Sequence, residues 1–495
     1  MQSLPRRGTA PLRRALRTDL TASTVVFLVA LPLCVGVAVA SGVPAELGLV
    51  TGIVGGLVVG LLPGSSLQVS GPAAGLTVLV AETVDAYGLR VLGVVVLAAG
   101  LLQLALGGLR LGRWFRAISV AVVEGMLAGI GLVIIAGQLY AMAGVKAPAS
   151  GLAKIAHLPG LAADLVTSAP AATAFAVGAG TIAVTALWSR MPARVRVVPG
   201  ALAAVVLATV VTASLRLPVA KIEVRGLLDV IQPPGPAEAG RLADLGVLAA
   251  IVAFALIASA ETLFCAAAVD RMHDGPRTDY DKELLAQGVG NTLCGLLGAL
   301  PMTGVIMRSA ANVQAGAKTR LSRVLHGVWL LLFAALLPAV LGLIPVAALA
   351  GVLIHAGFKL LPVGKLVPLW RAHRGEAVIL VVTAVAIVTL NMFEGVLIGL
   401  VLAVVKAAWE TSHIQVEVDD GGDGPVLVRL AGNATFLRLP TMLDTLEALP
   451  TDRPIELDLI GLRHLDHACR TALITWTDRH NRESAERVRL IQESV

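Results

Sequence analysis

The chain has 495 residues, of which 56% are hydrophobic and only 15% are charged, and its mean hydropathy is +0.83. A composition this apolar excludes an ordinary soluble globular domain. The formal net charge is +6. Because the basic residues flank apolar segments, this charge indicates a lipid bilayer as the partner and argues against nucleic acid.

Apolar segments recur from Leu20 to Trp409, and many are close to the roughly 20 residues that cross a bilayer core. The hydropathy pattern predicts an α-helical polytopic membrane protein with about fourteen crossings. They fall near residues 20–40, 43–62, 68–84, 90–109, 117–138, 168–188, 197–213, 244–269, 282–299, 303–316, 322–341, 344–360, 376–391 and 393–410.

The basic residues predict the orientation of the chain. They cluster between apolar segments, at Arg6, Arg7, Arg13, Arg14, Arg17, Arg110, Arg113, Arg116, Arg190, Arg194, Arg196, Lys318, Arg320, Arg323, Lys359, Lys365, Arg371 and Arg374. Threading the crossings from a cytoplasmic N-terminus places every cluster on the same side, as the positive-inside rule requires. We therefore expect a multi-pass protein of the cell inner (plasma) membrane with both termini in the cytoplasm.

The membrane part divides into two halves, 20–213 and 244–410, and the third segment of each half is interrupted. Gly64–Leu79 reads GSSLQVSGPAAGLTVL, and Ala299–Gln314 reads ALPMTGVIMRSAANVQ. Each has an extended-looking stretch, a glycine-containing turn and a helical run. Non-helical backbone at membrane depth is tolerated only inside protein or beside a cavity. An odd number of crossings per half, about seven, predicts an inverted repeat whose interrupted segments meet near the midplane.

Two helix N-termini that face each other would hold an anion, because each has free N–H groups and a partial charge of about +0.5. Small residues open both helices and would let the anion approach the backbone: Gly71–Ala74 in the first and Thr303–Ile306 in the second. Small residues also serve close helix packing, which is the alternative reading. The predicted substrate-binding residues are Ser70, Gly71, Pro72, Ala73, Gly304, Val305, Ile306 and Arg308.

Two charged residues lie deep in apolar sequence. Arg308 follows the second helix start by about one turn, and an arginine at such depth costs about 2.5 kcal/mol or more unless it pairs or faces water. Glu261 lies in IASAETLFCAA without a basic residue within one turn. Burial disfavours a charged carboxylate, so Glu261 can carry a proton near neutral pH. A structural ion pair between Glu261 and Arg308 is the alternative reading, and both readings can hold if protonation of Glu261 breaks the pair. Pro32 is expected to break the first segment near this site.

The composition changes after Lys406. Residues 413–495 alternate strand-like stretches (HIQVEV, PVLVRLAG and PIELDLIG) with helix-like runs (PTMLDTLEAL and CRTALITWTDRH). This alternation predicts a small α/β domain on the cytoplasmic side. The expected domains are a cytoplasmic segment at 1–18, a transmembrane domain at 19–410 and this domain at 413–495.

Long motifs carry a family resemblance. Ala30–Val80, Glu261–Met272 and Ala286–Ser322 resemble the SulP sulfate-permease family, prokaryotic relatives of the animal anion exchangers and of prestin, and Asp458–Leu473 resembles a STAS domain. The resemblance implies a uracil-permease-like fold with core and gate domains, a homodimer and an elevator movement. It also implies that Arg308 lies beside the bound anion and that Glu261 couples transport to H⁺ or Na⁺. At the position of the serine that many bacterial STAS relatives phosphorylate, after Asp466, this chain has His467.

The sequence thus predicts a secondary active transporter of a small inorganic oxyanion, sulfate or bicarbonate, that is coupled to H⁺ or Na⁺ or exchanges anions, with the anion between the N-termini of the third and tenth segments. No enzyme activity, cofactor or metal is expected. A passive anion channel and a dicarboxylate transporter remain alternatives within the same family. A nucleobase symporter on the same fold is disfavoured, because the second interrupted segment supplies Arg308 where nucleobase sites need further acids.

Overall fold

The computed structural model describes residues 9–491 apart from 114–118, 149, 193, 194, 196, 197, 224, 225, 421, 423 and 485, and only the backbone of 9–15 and 393. Five of the basic residues that predict the orientation, Arg6, Arg7, Arg116, Arg194 and Arg196, lie outside the described residues. The chain forms two compact units, Met1–Gly399 and Leu400–Val495.

The first unit is almost entirely helical. Its helices are α1 (Thr9–Ala40), α2 (Ala45–Val54), α3 (Thr77–Tyr87), α4 (Leu89–Gly108), α5 (Val120–Met142), α6 (Gly151–Ala156), α7 (Leu158–Thr167), α8 (Ala169–Leu187), α9 (Gly200–Ser214), α10 (Pro236–Ala239), α11 (Leu245–Asp270), α12 (Tyr280–Leu296), α13 (Ile306–Gln314), α14 (Leu321–Leu336), α15 (Pro338–Leu341), α16 (Val346–Leu360), α17 (Val363–Ala372), α18 (Arg374–Thr389) and α19 (Met392–Thr411), the last of which continues into the second unit. Two short strands, β1 (Ser70–Pro72) and β2 (Met302–Gly304), interrupt the helical pattern.

Every predicted crossing range contains a helix, but the helices differ in length. Within the described residues, 6 are long and apolar enough to cross a membrane: Leu16–Ala40, Leu89–Gly108, Val120–Met142, Ala169–Arg190, Leu245–Asp270 and Val346–Ala372. The chain is therefore an integral multi-pass membrane protein, and the number of crossings stays a prediction. The prediction that Pro32 breaks the first segment is wrong, since α1 is continuous over 32 residues. Membrane helices tolerate proline where neighbouring groups satisfy the freed carbonyl.

Glycine permits a close helix contact in the first unit, between α4 and α12. A Cβ atom on Gly100 would lie 2.4 Å from the backbone nitrogen of Thr292, and one on Gly295 would lie 2.2 Å from that of Leu97. Small residues let membrane helices approach backbone to backbone, where van der Waals packing replaces the hydrophobic effect. The α4–α12 pair thus forms a rigid support for β2, which follows α12.

The second unit is an α/β structure. Its mixed sheet contains β3 (Ile414–Asp419), β4 (Val426–Ala434), β5 (Ile455–Asp458), β6 (Leu462–Leu465) and β7 (Arg489–Ile491), with α20 (Leu439–Glu447) and α21 (His467–Glu483) between them. The strand order is β3-β4-β5-β7, with β6 paired to β4, and only β3 runs antiparallel to its neighbour. Alternate residues of β4 pack against Met442, Leu446 and Trp476. The predicted strands and helices of the tail are confirmed, while β6 and β7 were not anticipated.

Candidate functional site

The two interrupted segments meet as a short antiparallel ribbon. Ser70 pairs with Gly304, Gly71 with Thr303, and Pro72 with Met302. The backbone nitrogen of Val305 donates to the Val69 carbonyl at 2.9 Å, which extends the ribbon by one bond. The sequence prediction that extended stretches precede both helices and that the two segments meet is confirmed.

The helices begin later than the sequence predicts, which is a correction to both segments. Gly71 and Pro72 lie in β1, Ala73 is still extended, a 3₁₀ turn covers Ala74–Leu76, and α3 starts at Thr77. In the second segment Thr303 and Gly304 belong to β2, Val305 caps the helix, and α13 begins at Ile306. Strand pairing explains the difference, because backbone groups that bond across the ribbon are not available for the first helical turn.

Side chains from three helices, α12, α13 and α14, satisfy the extended backbone that leads into the ribbon, and Gln68 of that stretch bonds α11 in return. Asn312 donates to the Leu67 carbonyl at 2.9 Å, Ser309 accepts from the Val69 nitrogen at 2.9 Å, and Arg323 donates to the Leu62 carbonyl at 2.8 Å. Glu283 accepts from the Ser65 nitrogen at 2.7 Å, and Gln68 donates to the Thr262 carbonyl at 3.3 Å. These bonds replace the intrahelical pairs that a membrane segment normally makes.

The second extended stretch has its own supports. The side-chain amide of Asn291 bonds the backbone of Met302 twice. Its oxygen accepts from the Met302 nitrogen at 2.8 Å, and its nitrogen donates to the Met302 carbonyl at 3.1 Å. The Thr262 hydroxyl accepts from the Gly304 nitrogen at 3.1 Å, and Thr51 donates to the Leu300 carbonyl at 3.0 Å. The ribbon is therefore held in place from both sides.

Arg308 is fully buried against β1. Its side chain is 0% exposed, and a Cβ atom on Gly71 would lie 2.0 Å from its Nη1 atom. Among the described residues, no hydrogen-bond acceptor contacts Nε, Nη1 or Nη2 of this guanidinium. The Cys34 thiol of α1 lies near the guanidinium, but a thiol is only a weak acceptor. Arg308 thus offers charged donors at the place where the two interrupted segments join.

Glu261 lies against the 3₁₀ turn that precedes α3, next to Gly75. A Cβ atom on Gly75 would be 2.9 Å from each of its carboxylate oxygens, and the Thr303 hydroxyl is its neighbour on β2. One carboxylate oxygen and the Thr303 hydroxyl are buried without a hydrogen-bond partner in the described part of the chain. The structure contains no ion pair between Glu261 and Arg308 within the described residues.

The other predicted contact residues differ in how they face the site. The Ser70 hydroxyl points to α12 and accepts from Gln287 at 2.6 Å, and a Cβ atom on Gly304 would lie 1.6 Å from Gln68 Nε2. Pro72 and Ala73 are buried, Val305 is half-buried, and Ile306 is 41% exposed. The Ser70 hydroxyl is thus already engaged by Gln287 of α12.

Sequence reasoning missed two buried charges that support this arrangement. Glu283 is 1% exposed and Arg323 is 2% exposed, although Arg323 had been counted with the basic surface clusters. A sequence signal for Arg323 is its position one helical turn before His326 on α14, because both residues are buried on the same face of that helix. Among the residues that the structure describes, no three His, Cys, Asp or Glu side chains come together as metal ligands do.

In the second unit, the position after Asp466, where this chain has His467 and not a serine, lies at the start of α21. Asp466 caps α21 by accepting from the Cys469 nitrogen at 2.8 Å, and it also accepts from the Phe436 nitrogen at 2.6 Å. The bond from the Cys469 nitrogen is the main reason that the pKa of Asp466 is lowered from its ordinary value. His467, where a serine would stand, is the first residue of the helix.

Two interrupted helices whose extended segments meet inside the protein, beside a buried arginine that has no acceptor among the described residues, define a polytopic membrane protein of the kind that secondary transporters represent. The family comparison agrees with this class. The model of the sulfate permease family matches residues 16–383, and the chain belongs to that family.

Individual relatives are more distant. The bicarbonate transporter BicA of Picosynechococcus sp. is 28% identical over 427 residues, 82% of this chain and 72% of the relative. The putative sulfate transporter YvdB of Bacillus subtilis is 29% identical over 394 residues, 78% of this chain and 72% of the relative.

Solved structures share the fold. The transmembrane domain of a cyanobacterial bicarbonate transporter, BicA, has a TM-score of 0.66 and 26% identity, and the match covers 79% of this chain and 98% of that one. SLC26A9 has a TM-score of 0.78 over 99% of this chain and 87% of that one. At 15% identity the second match shows the fold alone.

Proposed function

We propose that the protein is a secondary active transporter of a small inorganic oxyanion, sulfate or bicarbonate. One observation carries this proposal: Arg308 is fully buried, its three guanidinium nitrogens have no acceptor in the described chain, and it lies against Gly71 in the ribbon that precedes both interrupted helices. An unpaired internal cation is costly in a membrane protein. An oxyanion would pair with it bidentately and would also accept from the helix N-termini.

The relatives support this class of substrate, since they are bicarbonate transporters and putative sulfate transporters. We infer that the anion contacts Arg308 and the backbone of Gly71, Ala73, Val305 and Ile306. The site-bearing segments would move as a core domain past a gate domain, by an elevator movement in a homodimer. The α/β unit would be a STAS domain in the cytoplasm, where both chain termini would lie.

Glu261 is our candidate for coupling. Its partly unsatisfied carboxylate lies beside the 3₁₀ turn that precedes α3 and beside the Thr303 hydroxyl, without contacting Arg308. It can therefore take up H⁺ or Na⁺ without first breaking an ion pair. A passive anion channel would not need a titratable group here, so this residue favours coupled transport over the channel alternative.

The test is uptake of radiolabelled sulfate and bicarbonate into proteoliposomes, with and without pH and Na⁺ gradients. The native protein should accumulate one of the anions only when a gradient is imposed. Glu261→Gln should lose this accumulation and still exchange labelled for unlabelled anion, because Arg308 is intact. Gradient-driven accumulation at the native level in Glu261→Gln would refute the coupling role, and uptake of neither anion would refute the proposed substrate class.

A further inference from the structure

One short helix of the first unit, α17, exposes an apolar stripe. Val363 is 73% exposed, Val367 is 58% exposed and Trp370 is 50% exposed. Their spacing of four and three residues places them on one face of the helix. With 10 residues, α17 is about 15 Å long, and a bilayer core of about 30 Å is too thick for it to cross. The stripe therefore needs a partner that a membrane crossing would not supply.

The charge around this stripe is of one sign. The sequence from His355 to Gly375 contains no Asp or Glu, and its Lys and Arg residues are Lys359, Lys365, Arg371 and Arg374. Three of them, Lys359, Arg371 and Arg374, are exposed. Among the described residues, these three form no ion pair with an acidic side chain. The helix thus combines an apolar face with cations that no acid of the described chain neutralises.

Two polar contacts hold α17 at the ends of apolar helices. Lys365 Nζ lies 2.7 Å from a carboxylate oxygen of Glu124, in the second turn of α5. The Ser119 hydroxyl, just before α5, donates to Glu376 in the first turn of α18 at 3.2 Å. Since α16 ends where α17 begins, and α5 and α18 both start beside it, α17 lies at one surface of the membrane part.

We infer that α17 lies in the bilayer interface and binds the headgroups of anionic phospholipids. Val363, Val367 and Trp370 enter the boundary of the acyl chains, as the apolar face of an interfacial helix does. Arg371 and Arg374 donate to lipid phosphate groups. The positive-inside rule assigns this helix to the cytoplasmic leaflet.

A lipid suits this surface better than a second copy of the chain does. A two-fold contact through α17 would bring its basic residues against the same residues of the other copy. Anionic headgroups instead neutralise these cations and leave the apolar stripe in contact with hydrocarbon. The inference does not depend on which anion is transported.

The test is the quenching of Trp370 fluorescence by brominated lipids, with the full-length protein in nanodiscs. The nanodiscs contain equal parts of phosphatidylcholine and phosphatidylglycerol, and in each preparation only one of the two lipids has brominated acyl chains. The chain has 6 tryptophans, so the contribution of Trp370 is the difference between the native protein and Trp370→Phe. We expect brominated phosphatidylglycerol to quench this contribution about twofold more strongly than brominated phosphatidylcholine.

Arg371→Gln combined with Arg374→Gln should make the two lipids quench equally. Trp370 should still be quenched in this double variant, because the apolar stripe is unchanged. Raised salt should reduce the preference in the native protein by screening. Arg479→Gln is the control, since this arginine of the second unit pairs with Glu483, and its loss should leave the preference as it is.

Equal quenching by both lipids in the native protein overturns the selection of anionic headgroups, and a preference that survives the loss of both arginines overturns their role. No quenching by either lipid overturns the interfacial placement and shows that protein covers the stripe. Uptake of neither anion would contradict the proposed function and leave a positive quenching result intact, so the two proposals fail separately.

Discussion

At the residue scale, the position of the Arg308 side chain requires a glycine at position 71. The guanidinium occupies the space that any side chain at position 71 would need, since a Cβ atom there would lie 2.0 Å from Nη1. Likewise, a Cβ atom on Gly75 would lie 2.9 Å from each carboxylate oxygen of Glu261. The two glycines of SGPAAG are thus required by the two charges, not by a left-handed backbone conformation.

Gly71→Ala should therefore weaken anion binding. The added methyl group displaces the guanidinium from the ribbon, and the loss of one charged hydrogen bond corresponds to about 1.5–3 kcal/mol. We expect the Kd, measured by calorimetry in detergent, to rise about tenfold or more. Gly180→Ala is the matched control, because a Cβ atom on Gly180 of α8 meets no atom within 4 Å. Equal affinities in the two variants would contradict this placement of Arg308.

At the element scale, the ribbon is stable because side chains replace its missing helical bonds. Asn291 alone bonds the nitrogen and the carbonyl of Met302 and also donates to Gln103 at 2.8 Å. Its amide therefore acts as a further strand residue at the edge of β2. A ribbon of two three-residue strands would not be stable without such supports.

Asn291→Ala should lower the thermal stability of the purified protein. The substitution leaves two backbone groups of Met302 buried without partners, at a cost of about 1–3 kcal/mol each. Thr185→Ala is the control, since that hydroxyl donates only to the Thr181 carbonyl of its own helix. If both variants melt at the native temperature, Asn291 is not a support of β2.

The sequence predicted these elements in part. The interrupted segments were recognisable from SGPAAG and TGVIMR, because glycine and polar residues stood where a continuous apolar helix was expected. The pairing that delays each helix by several residues was not recognisable, since β1 and β2 are more than 200 residues apart in the sequence and no local pattern reports a long-range ladder. The burial of Arg323 was not recognisable for the same reason, because the carbonyls that accept its hydrogen bonds belong to a loop far away in the sequence.

At the scale of the whole molecule, α19 connects two compact units. Within the second unit, the last turn of α19 is bound by the tail: Arg438 donates to the Ser412 carbonyl at 2.9 Å, and its guanidinium lies 4.7 Å from the Trp409 ring centroid. Asn433 donates to the Thr411 carbonyl at 2.9 Å. The contacts that define the second unit therefore begin before the boundary at residue 413 that the sequence suggests.

A chain that ends at Thr411 should keep the membrane fold. The described helices of the first unit and both strands of the ribbon lie before this residue, so the internal backbone bonds are retained. Size-exclusion chromatography in detergent should give a monodisperse species that still binds the anion. Aggregation of the truncated protein would show that the tail is required for the membrane unit to fold. Arg438→Ala in the full chain is a milder control that removes only the bond to the Ser412 carbonyl and the contact on Trp409.

The central claim is that Arg308 binds an oxyanion at the junction of the two interrupted segments. Calorimetric titration of sulfate and of bicarbonate into the native protein, Arg308→Ala and Arg308→Lys tests it most directly. We predict saturable binding of one anion to the native protein, a loss of about 1.5–3 kcal/mol in Arg308→Ala, and partial recovery in Arg308→Lys, which keeps the charge without the bidentate fork. Unchanged affinity in Arg308→Ala, with the variant monodisperse and folded, would contradict the account.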